Sequence, residues 1–174
     1  MFKFDRVPVF ERLPEGIDMG LKVKVKKILD NAVLPVKGSD GAAGYDVFAA
    51  SEVFKPEKTG PIFEYDTGLA FEVPKGFGMF ILPRSGVTTK TSFILGNSVG
   101  LLDSDYRGTL KFQFRNMTPG MGKKYNVGDR IGQIVILPVP EINFEVVDEL
   151  SDTKRGEGGF GSTGKWKFSK KELQ

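Results

Sequence analysis

Apolar and polar residues alternate with a period of two along much of the chain, which is the pattern of β-strands with one buried face. The clearest example places Leu21, Val23 and Val25 between lysines. Similar stretches predict strands at residues 45–49, 67–73, 77–82, 109–115, 131–139 and 142–147. Glycine, proline and asparagine separate these stretches and favour tight turns. One short helix is predicted at residues 87–92.

Regularly spaced short strands favour an all-β domain of the sandwich or barrel type with little helix. The chain has 174 residues, 40% of them hydrophobic, which suffices for one domain with a buried core but not for two large ones. We therefore predict an N-terminal arm at residues 1–20, a β domain at 21–154, and a glycine-rich segment with a basic tail at 155–174.

The composition excludes several kinds of chemistry. The chain contains no cysteine and no histidine, so thiolate nucleophiles, disulfides, cysteine-bound zinc and a histidine base are ruled out. Any catalysis uses carboxylates, hydroxyls or cations. The net charge of +3 suits a polyanionic small molecule as well as a nucleic acid. No apolar run approaches the ~20 residues of a membrane span, and the first residues lack a signal peptide's apolar stretch. We expect a soluble intracellular protein.

The glycine-rich segment RGEGGFGSTG, residues 155–164, has the composition of a phosphate-binding loop. It holds five glycines, with Ser162 and Thr163 as hydroxyl donors and Arg155 as a cation. Backbone without Cβ atoms can turn its N–H groups toward an anion. It is not a P-loop, because Trp166 stands where that motif requires serine or threonine. A flexible tail is the alternative, and a tail that orders over a bound nucleotide satisfies both interpretations.

Four other polar motifs fall at the ends of predicted strands, where functional residues commonly lie. They are GSDGAAGYD ending at Asp46, PRSG with Arg84, GNSVGLLDSDYRG with Asp103, and GDRIGQIVI with Gln133. Each also has an ordinary explanation: aspartate is favoured in turns, an arginine there is often solvated, and a strand glutamine is often bonded within the core.

Taken together, the order and spacing of these five motifs resemble those of the trimeric dUTP pyrophosphatase (dUTPase) family. The resemblance runs over residues 43–164 and is most specific at LLDSDYRG and RGEGGFGSTG. It implies a distorted β jelly-roll, a homotrimer, and hydrolysis of dUTP to dUMP and pyrophosphate with Mg²⁺. That activity would keep uracil out of DNA and supply dUMP for dTMP synthesis.

The resemblance also implies a role for each matching residue. Asp103 would orient the water that attacks the α-phosphorus, and Tyr106 would pack under the deoxyribose and exclude a 2′-hydroxyl. The uracil would be read by one side chain and a hairpin backbone, at Asn97, Gly100, Leu101, Leu102 and Lys111. The triphosphate and the closing tail would involve Arg84, Ser85, Gly86, Gln133, Arg155, Phe160, Gly161 and Ser162.

Within this resemblance Mg²⁺ is carried by the triphosphate without a dedicated protein site, and Asp46 touches it at most through water. Phe160 would stack on the uracil as the tail closes. Each active site would draw on three subunits. We expect no membrane association and no stable binding of nucleic acid, with a cytoplasmic location, or the host cytoplasm for a viral protein.

Three other functions remain open at this point. A dCTP deaminase shares the fold but carries a catalytic glutamate on the strand after the third motif, where this chain has Lys111, Gln113 and Arg115. A dUTP-sensing regulator would control a protein partner through the N-terminal arm. A capsid-like jelly-roll would carry the same loops as solvated turns.

Overall fold

A computed structural model describes residues 20–58, 60–118 and 124–159 of the chain. Most of the predicted arm therefore lies outside the described residues, as do Phe160, Gly161, Ser162 and the basic tail. The chain divides into one unit that ends at Glu141 and a second that begins at Ile142. The described residues include no helix that is long and apolar enough to cross a membrane.

The described part of the first unit consists almost entirely of β-strands, as predicted. Its elements are β1 Lys24–Lys27, β2 Val36–Lys37, β3 Tyr45–Phe48, β4 Ser51–Lys55, β5 Ile62–Glu72, β6 Phe77–Leu82, α1 Val87–Lys90, β7 Phe93–Leu95, β8 Gly100–Leu102, β9 Thr109–Asn116 and β10 Arg130–Pro138. The single helix covers the first four residues of the predicted one.

The strands form two antiparallel sheets of five strands each. The first sheet has the order β1-β5-β9-β7, with β4 paired to the long strand β5 as well. The second has the order β2-β3-β10-β6-β8, so that β8 is an edge strand. The predicted distorted jelly-roll class is confirmed.

Alternation along β9 shows how the core forms. Leu110, Phe112 and Phe114 are almost fully buried, and the residues between them point outward. The ring of Phe114 stacks on that of Phe93 with centroids 5.4 Å apart. Tyr65 meets Phe114 edge-on and donates its hydroxyl to the Tyr125 carbonyl at 3.0 Å. Aromatic packing of this kind holds the inner faces of the strands together.

Predicted strand boundaries agree best with the structure for β6, β9 and β10. Residues 77–82 form β6 as predicted, and 109–115 and 131–139 agree with β9 and β10 to within a residue at each end. The strand predicted at 67–73 is the second half of β5, which begins at Ile62. Strands β2, β4, β7 and β8 are short and were not predicted.

The strand predicted at residues 142–147 is wrong. Ile142, Phe144 and Val146 alternate as in a strand, but their side chains are exposed, and this segment adopts no strand conformation. A strand is stabilised by hydrogen bonds to a neighbour. No described strand of the same chain pairs with this segment.

Candidate active site

The third motif forms a hairpin, residues 100–111, whose two limbs belong to different sheets. Strand β8 pairs with β6 in the second sheet, and β9 pairs with β5 and β7 in the first. Because the limbs do not pair with each other, a slot opens between them. It has a volume of about 190 Å³ and is lined by Ile81, Leu101, Leu102, Asp103, Tyr106, Thr109, Leu110 and Lys111.

Asp103 lines the slot where the first limb ends. It follows the buried side chain of Leu102, which anchors the end of β8 in the core. The exposed position of Asp103 leaves its carboxylate accessible to solvent, and its backbone carbonyl accepts a hydrogen bond from Tyr106 N at 3.2 Å. The turn therefore places an accessible carboxylate beside the slot.

Tyr106 is held against the turn at Gly108. A Cβ at position 108 would collide with the Tyr106 ring and hydroxyl, so only glycine permits this arrangement. The Tyr106 hydroxyl donates to the Thr109 carbonyl at 3.4 Å. The Arg107 guanidinium donates to the carbonyls of Ser104 and Tyr106, at 2.7 and 2.9 Å. These bonds fix the turn and with it the tyrosine ring.

Asn97 lines a neighbouring cavity of about 410 Å³, which shares Ile81, Tyr106 and Lys111 with the slot. The loop that carries Asn97 is tied to β9 by a hydrogen bond of 2.7 Å from Gly96 N to the Gln113 carbonyl. The structure thus brings Asn97 close to the hairpin residues with which the sequence grouped it.

A charged network on β5 faces the second limb of the hairpin, and the sequence-based prediction missed it. Lys111 Nζ lies 3.5 Å from Glu64 Oε1 and 3.6 Å from Asp66 Oδ2. Glu64 also accepts hydrogen bonds from Lys55 at 2.6 Å and from Gln113 at 2.7 Å. The sequence pattern that could have revealed this network is the alternation of Glu64 and Asp66 with Tyr65 and Thr67, which are both buried.

This network shifts the pKa values of its members. Burial alone raises the pKa of Glu64, but hydrogen bonds from Lys55 and Gln113 and the charge of Lys111 outweigh it, and the net shift is downward. The negative charge of Glu64 raises the pKa of Lys111, against an opposing contribution from burial. Each partner therefore favours the charged form of the other.

The second motif forms a separate site between β6 and α1. Arg84, Ser85 and Gly86 line a cavity of about 270 Å³ together with Thr89, Lys90 and Tyr125. The turn closes with a hydrogen bond of 3.0 Å from Val87 N to the Arg84 carbonyl. None of these residues lines the hairpin slot.

Asp46 links the first, second and fourth motifs. Its side chain is buried, and Oδ2 accepts a hydrogen bond of 3.0 Å from Arg130. Oδ1 accepts one of 3.2 Å from Gln133 Nε2 and lies 3.2 Å from Arg84 Nε, an ion-pair contact without hydrogen-bond geometry. Gln133 and Arg84 are thus joined through one carboxylate.

Arg155 belongs to the second unit, where it closes a short turn. Its Nε donates to the Gly158 carbonyl at 2.6 Å, and Gly156 adopts a φ of +50° that favours glycine. The predicted tail residues Phe160, Gly161 and Ser162 lie outside the described residues. The described site residues of the first unit therefore form a hairpin group and an Arg84–Asp46–Gln133 group, and Arg155 belongs to the second unit.

Comparison with known proteins identifies the family. The family model for dUTPase matches residues 30–164. The chain belongs to the dUTPase family. The resemblance drawn from the five motifs is thereby confirmed.

Two relatives of this dUTPase-family chain, from Legionella pneumophila (strain Paris) and Nautilia profundicola, bear the name deoxyuridine 5'-triphosphate nucleotidohydrolase. The first is 41% identical over 150 residues, which cover 84% of this chain and 96% of the relative. The second is 41% identical over 146 residues, which cover 83% of this chain and 100% of the relative.

A solved structure of a Staphylococcus bacteriophage 80alpha dUTPase mutant with dUpNHpp has the same fold. It superimposes with a TM-score of 0.67 at 27% identity and covers 82% of this chain and 98% of its own. A mutant dUTPase from phage phi11 of S. aureus, described with a structural Mg(II) ion, superimposes with a TM-score of 0.60 at 25% identity, covering 74% of this chain and 97% of its own.

Proposed function

We propose that this dUTPase-family protein hydrolyses dUTP to dUMP and pyrophosphate, with the hairpin at residues 100–111 as the base-binding slot. The observation that carries the proposal is the placement of one accessible carboxylate, Asp103, beside a slot that Tyr106 and Lys111 also line. The slot has a volume of about 190 Å³, and we assign the base to it.

Unpaired backbone on both limbs supports base recognition. Strand β8 is an edge strand, and β7 pairs with β9 only from Phe114 to Asn116. On that side of β9, Gln113 accepts from Gly96 N. Because backbone groups of a strand point to alternate sides, Lys111 presents its N–H and C=O to the same edge as Gln113, toward the slot. Donors and acceptors fixed in this way can distinguish uracil from cytosine.

Asp103 supplies the proton acceptor for the reaction. A water molecule attacks the α-phosphorus, the bond to the bridging oxygen breaks, pyrophosphate leaves, and the water's proton passes to the carboxylate. A positioned base of this type contributes about 10²- to 10⁴-fold. The chain contains no histidine that could serve instead.

The second group of residues supports binding of the phosphates. Arg84, Ser85 and Gly86 supply a cation, a hydroxyl and backbone donors around one cavity. The Asp46 carboxylate holds Arg84 and Gln133 in fixed orientations. We assign these residues to the α- and β-phosphates and Arg155 to the γ-phosphate, with Phe160, Gly161 and Ser162 in the tail that closes over the nucleotide.

Mg²⁺ would bind to the protein together with the substrate, on the phosphates. Among the described residues no group of three or more histidine, cysteine, aspartate or glutamate side chains is arranged to hold a metal. Mg²⁺ commonly keeps several waters and binds substrate phosphates through few protein ligands, and this donor set fits that behaviour. The ion would neutralise phosphate charge, while Arg84 and Gln133 orient the oxygens.

Two features support a homotrimer with shared active sites. The hairpin group and the Arg84 group line separate cavities within one chain. In addition, Phe144, Val146 and Leu150 are each at least 87% exposed in a segment that alternates like a strand. Exposed apolar surface of this kind indicates a protein partner. A second and a third copy would unite the two groups and bring a partner strand to this segment.

The deaminase alternative lacks its catalytic acid. The outward residues of β9 are Lys111, Gln113 and Arg115, with no carboxylate among them. Glu64, on the adjacent strand, faces Lys111 and Gln113. Its Oε2 already accepts hydrogen bonds from Lys55 and Gln113, and its Oε1 lies 3.5 Å from Lys111 Nζ. Such a paired carboxylate is poorly placed to move a proton at C4 of cytosine.

Pyrophosphate release from dUTP, dTTP, dCTP and UTP in the presence of Mg²⁺ tests the proposed function. We expect rapid release from dUTP and little from the other three. Ammonia release from dCTP at a comparable rate would favour the deaminase. Tight binding of dUTP without pyrophosphate release would favour a sensor, and no dUTP-dependent rise in melting temperature would favour a purely structural protein.

A further inference from the structure

Strand β5 departs from regular pairing directly opposite the second limb of the hairpin. The register runs from Asp66 opposite Lys111 to Ala70 opposite Thr109, so that three residues of β5 face only one residue of β9. Gly68 lies within this bulge with a φ of +65°. A bulge interrupts the backbone ladder locally. The limb therefore lacks part of the support that a regular neighbouring strand gives.

Side chains of the bulge replace the missing backbone contacts. Asp66 Oδ2 accepts a hydrogen bond of 2.7 Å from Thr109 Oγ1, and Oδ1 accepts one of 2.7 Å from Gly68 N. Thr67 Oγ1 donates to the Leu110 carbonyl at 2.9 Å. One carboxylate thus holds the bulge on its own strand and the limb on the next.

Charge strengthens this connection. Lys111 Nζ lies 3.6 Å from Asp66 Oδ2, which is the oxygen that accepts from Thr109. The side chain of Asp66 is only 19% exposed, so solvent weakens these interactions less than it would on an open surface. Hydrogen bonds to a charged group are about twice as strong as neutral ones.

The residues held in this way are those that line the slot. Thr109, Leu110 and Lys111 form one wall, and Asp103 and Tyr106 lie on the turn that joins this wall to the other limb. The opposite edge of this limb is open to the slot, so its position depends on the side facing β5. Asp66 does not line the slot itself.

We propose that Asp66 is a positioning residue that fixes the width of the base slot and so determines how strongly the enzyme rejects thymine. This inference rests on the proposed function, in which the hairpin binds the base. A 5-methyl group requires the two limbs to separate slightly. A limb fastened to β5 by Asp66 resists that movement, and a loosened limb permits it.

The test compares kcat/KM for dUTP and dTTP in the full-length protein with the variants Asp66→Asn and Thr109→Val. Both variants weaken the same bridge, one from each side. We expect each variant to lower the ratio of kcat/KM for dUTP to kcat/KM for dTTP by about tenfold. This is the factor that loss of one charge-assisted hydrogen bond gives. The change should arise mainly from KM, because the reacting carboxylate is untouched.

Two further variants serve as controls. Thr109→Ser keeps the hydroxyl and should restore the wild-type ratio. Glu72→Gln removes an acid from the same strand, and this acid pairs with Lys24 on the solvent-exposed surface, where Nζ and Oε1 are 2.7 Å apart. The ratio of kcat/KM for dUTP to that for dTTP should stay unchanged in this variant. A general loss of stability would alter melting temperature in any variant but not the ratio between two substrates.

Unchanged ratios in both Asp66→Asn and Thr109→Val would overturn the inference, even if their melting temperatures fell. If Asp66→Asn does not fold, Thr109→Val and its serine control decide the question alone. Full turnover in Asp103→Asn would mean that the slot is not the reaction site, and it would overturn the proposed site together with this inference. Loss of turnover there with unchanged ratios would overturn the inference alone.

Discussion

Gly132 on β10 packs directly against the ring of Phe112 on β9. A Cβ at position 132 would overlap the edge of that ring, so the contact depends on the absence of a side chain. Phe112 is fully buried, and Ile131 beside the glycine is too. The two sheets therefore come into direct contact where the fourth motif begins.

Replacing this glycine should destabilise the fold. Gly132→Ala forces the Phe112 ring to move within a packed core, and overpacking of this kind costs about 1–3 kcal/mol. Denaturant unfolding measures the change. The matched control is Gly41→Ala, because no atom lies within 4 Å of a Cβ at that exposed position. Equal effects of the two substitutions would contradict the packing explanation.

The charged form of Glu64 should stabilise the folded protein, and this stability should be lost in acid as Glu64 is protonated. Its pKa in the folded chain lies below the ordinary value of 4.5, mainly because Lys55 and Gln113 outweigh the effect of burial. A lowered pKa adds stability that is present above about pH 4.5 and is lost as pH falls toward the folded-state value. Glu64→Gln should therefore lower Tm by about 2–4 °C at pH 7, and the difference should shrink below pH 4.5.

The exposed pair of Glu72 and Lys24 provides the comparison for this pH profile. The hydrogen bond and charge of Lys24 also lower the pKa of Glu72, but both side chains are open to solvent. Glu72→Gln should change Tm less, and the change should vanish at high salt. A Glu64→Gln difference that persists undiminished to pH 3 would contradict the assignment.

Replacing Asp46 should weaken the binding of dUTP and leave the Mg²⁺ requirement of the reaction unchanged. In Asp46→Asn, Arg84 and Arg130 lose their shared counter-charge, which costs about 1–3 kcal/mol because both arginines remain partly exposed. We expect KM for dUTP to rise because Arg84 and Gln133 lose their orientation. The Mg²⁺ concentration for half-maximal activity should stay unchanged.

A substitution at the exposed Asp40 is the control for this experiment. Asp40→Asn should alter stability by less than about 0.5 kcal/mol and leave KM unchanged. A water-mediated contact between Asp46 and Mg²⁺ would give a different result. In that case the Mg²⁺ requirement would rise in Asp46→Asn while KM for dUTP at saturating Mg²⁺ stayed the same.

The local pattern of apolar and polar residues was enough to predict the fold class and the longer strands. Strand β6 was predicted in full because its apolar run FGMFIL is continuous and ends at Pro83. The first half of β5 was missed because Glu64 and Asp66 interrupt the apolar pattern, and their partners on β9 lie more than forty residues away. Residues 142–147 have a strand pattern without a partner in the described chain, which alternation alone does not reveal.

Motif order selected the candidate site residues, but it did not reveal the contacts between them. Sequence placed Arg84 and Gln133 in one group, but nothing local showed that Asp46 joins them. The bulge opposite Thr109 was also unpredictable, because register between distant strands depends on packing. Contacts that support the proposed site come from long-range pairing, and the chemical groups within it come from short motifs.

Shared active sites should allow two inactive variants to complement each other. Arg84→Ala and Asp103→Asn would each disable every site in a homotrimer. If the two residues of a site come from different chains, unfolding an equal mixture and refolding it together should restore about a quarter of wild-type activity by random assortment. Separately refolded samples are the control. No recovery in the mixture would show that one chain supplies both residues.

The most direct test of the central claim is the turnover of dUTP by Asp103→Asn, measured as pyrophosphate release with Mg²⁺ present. We predict a loss of about 10²- to 10⁴-fold in kcat, with dUTP affinity and melting temperature retained, because the substitution removes the proton acceptor and little else. Turnover equal to that of the wild-type protein would contradict the claim that Asp103 activates the attacking water.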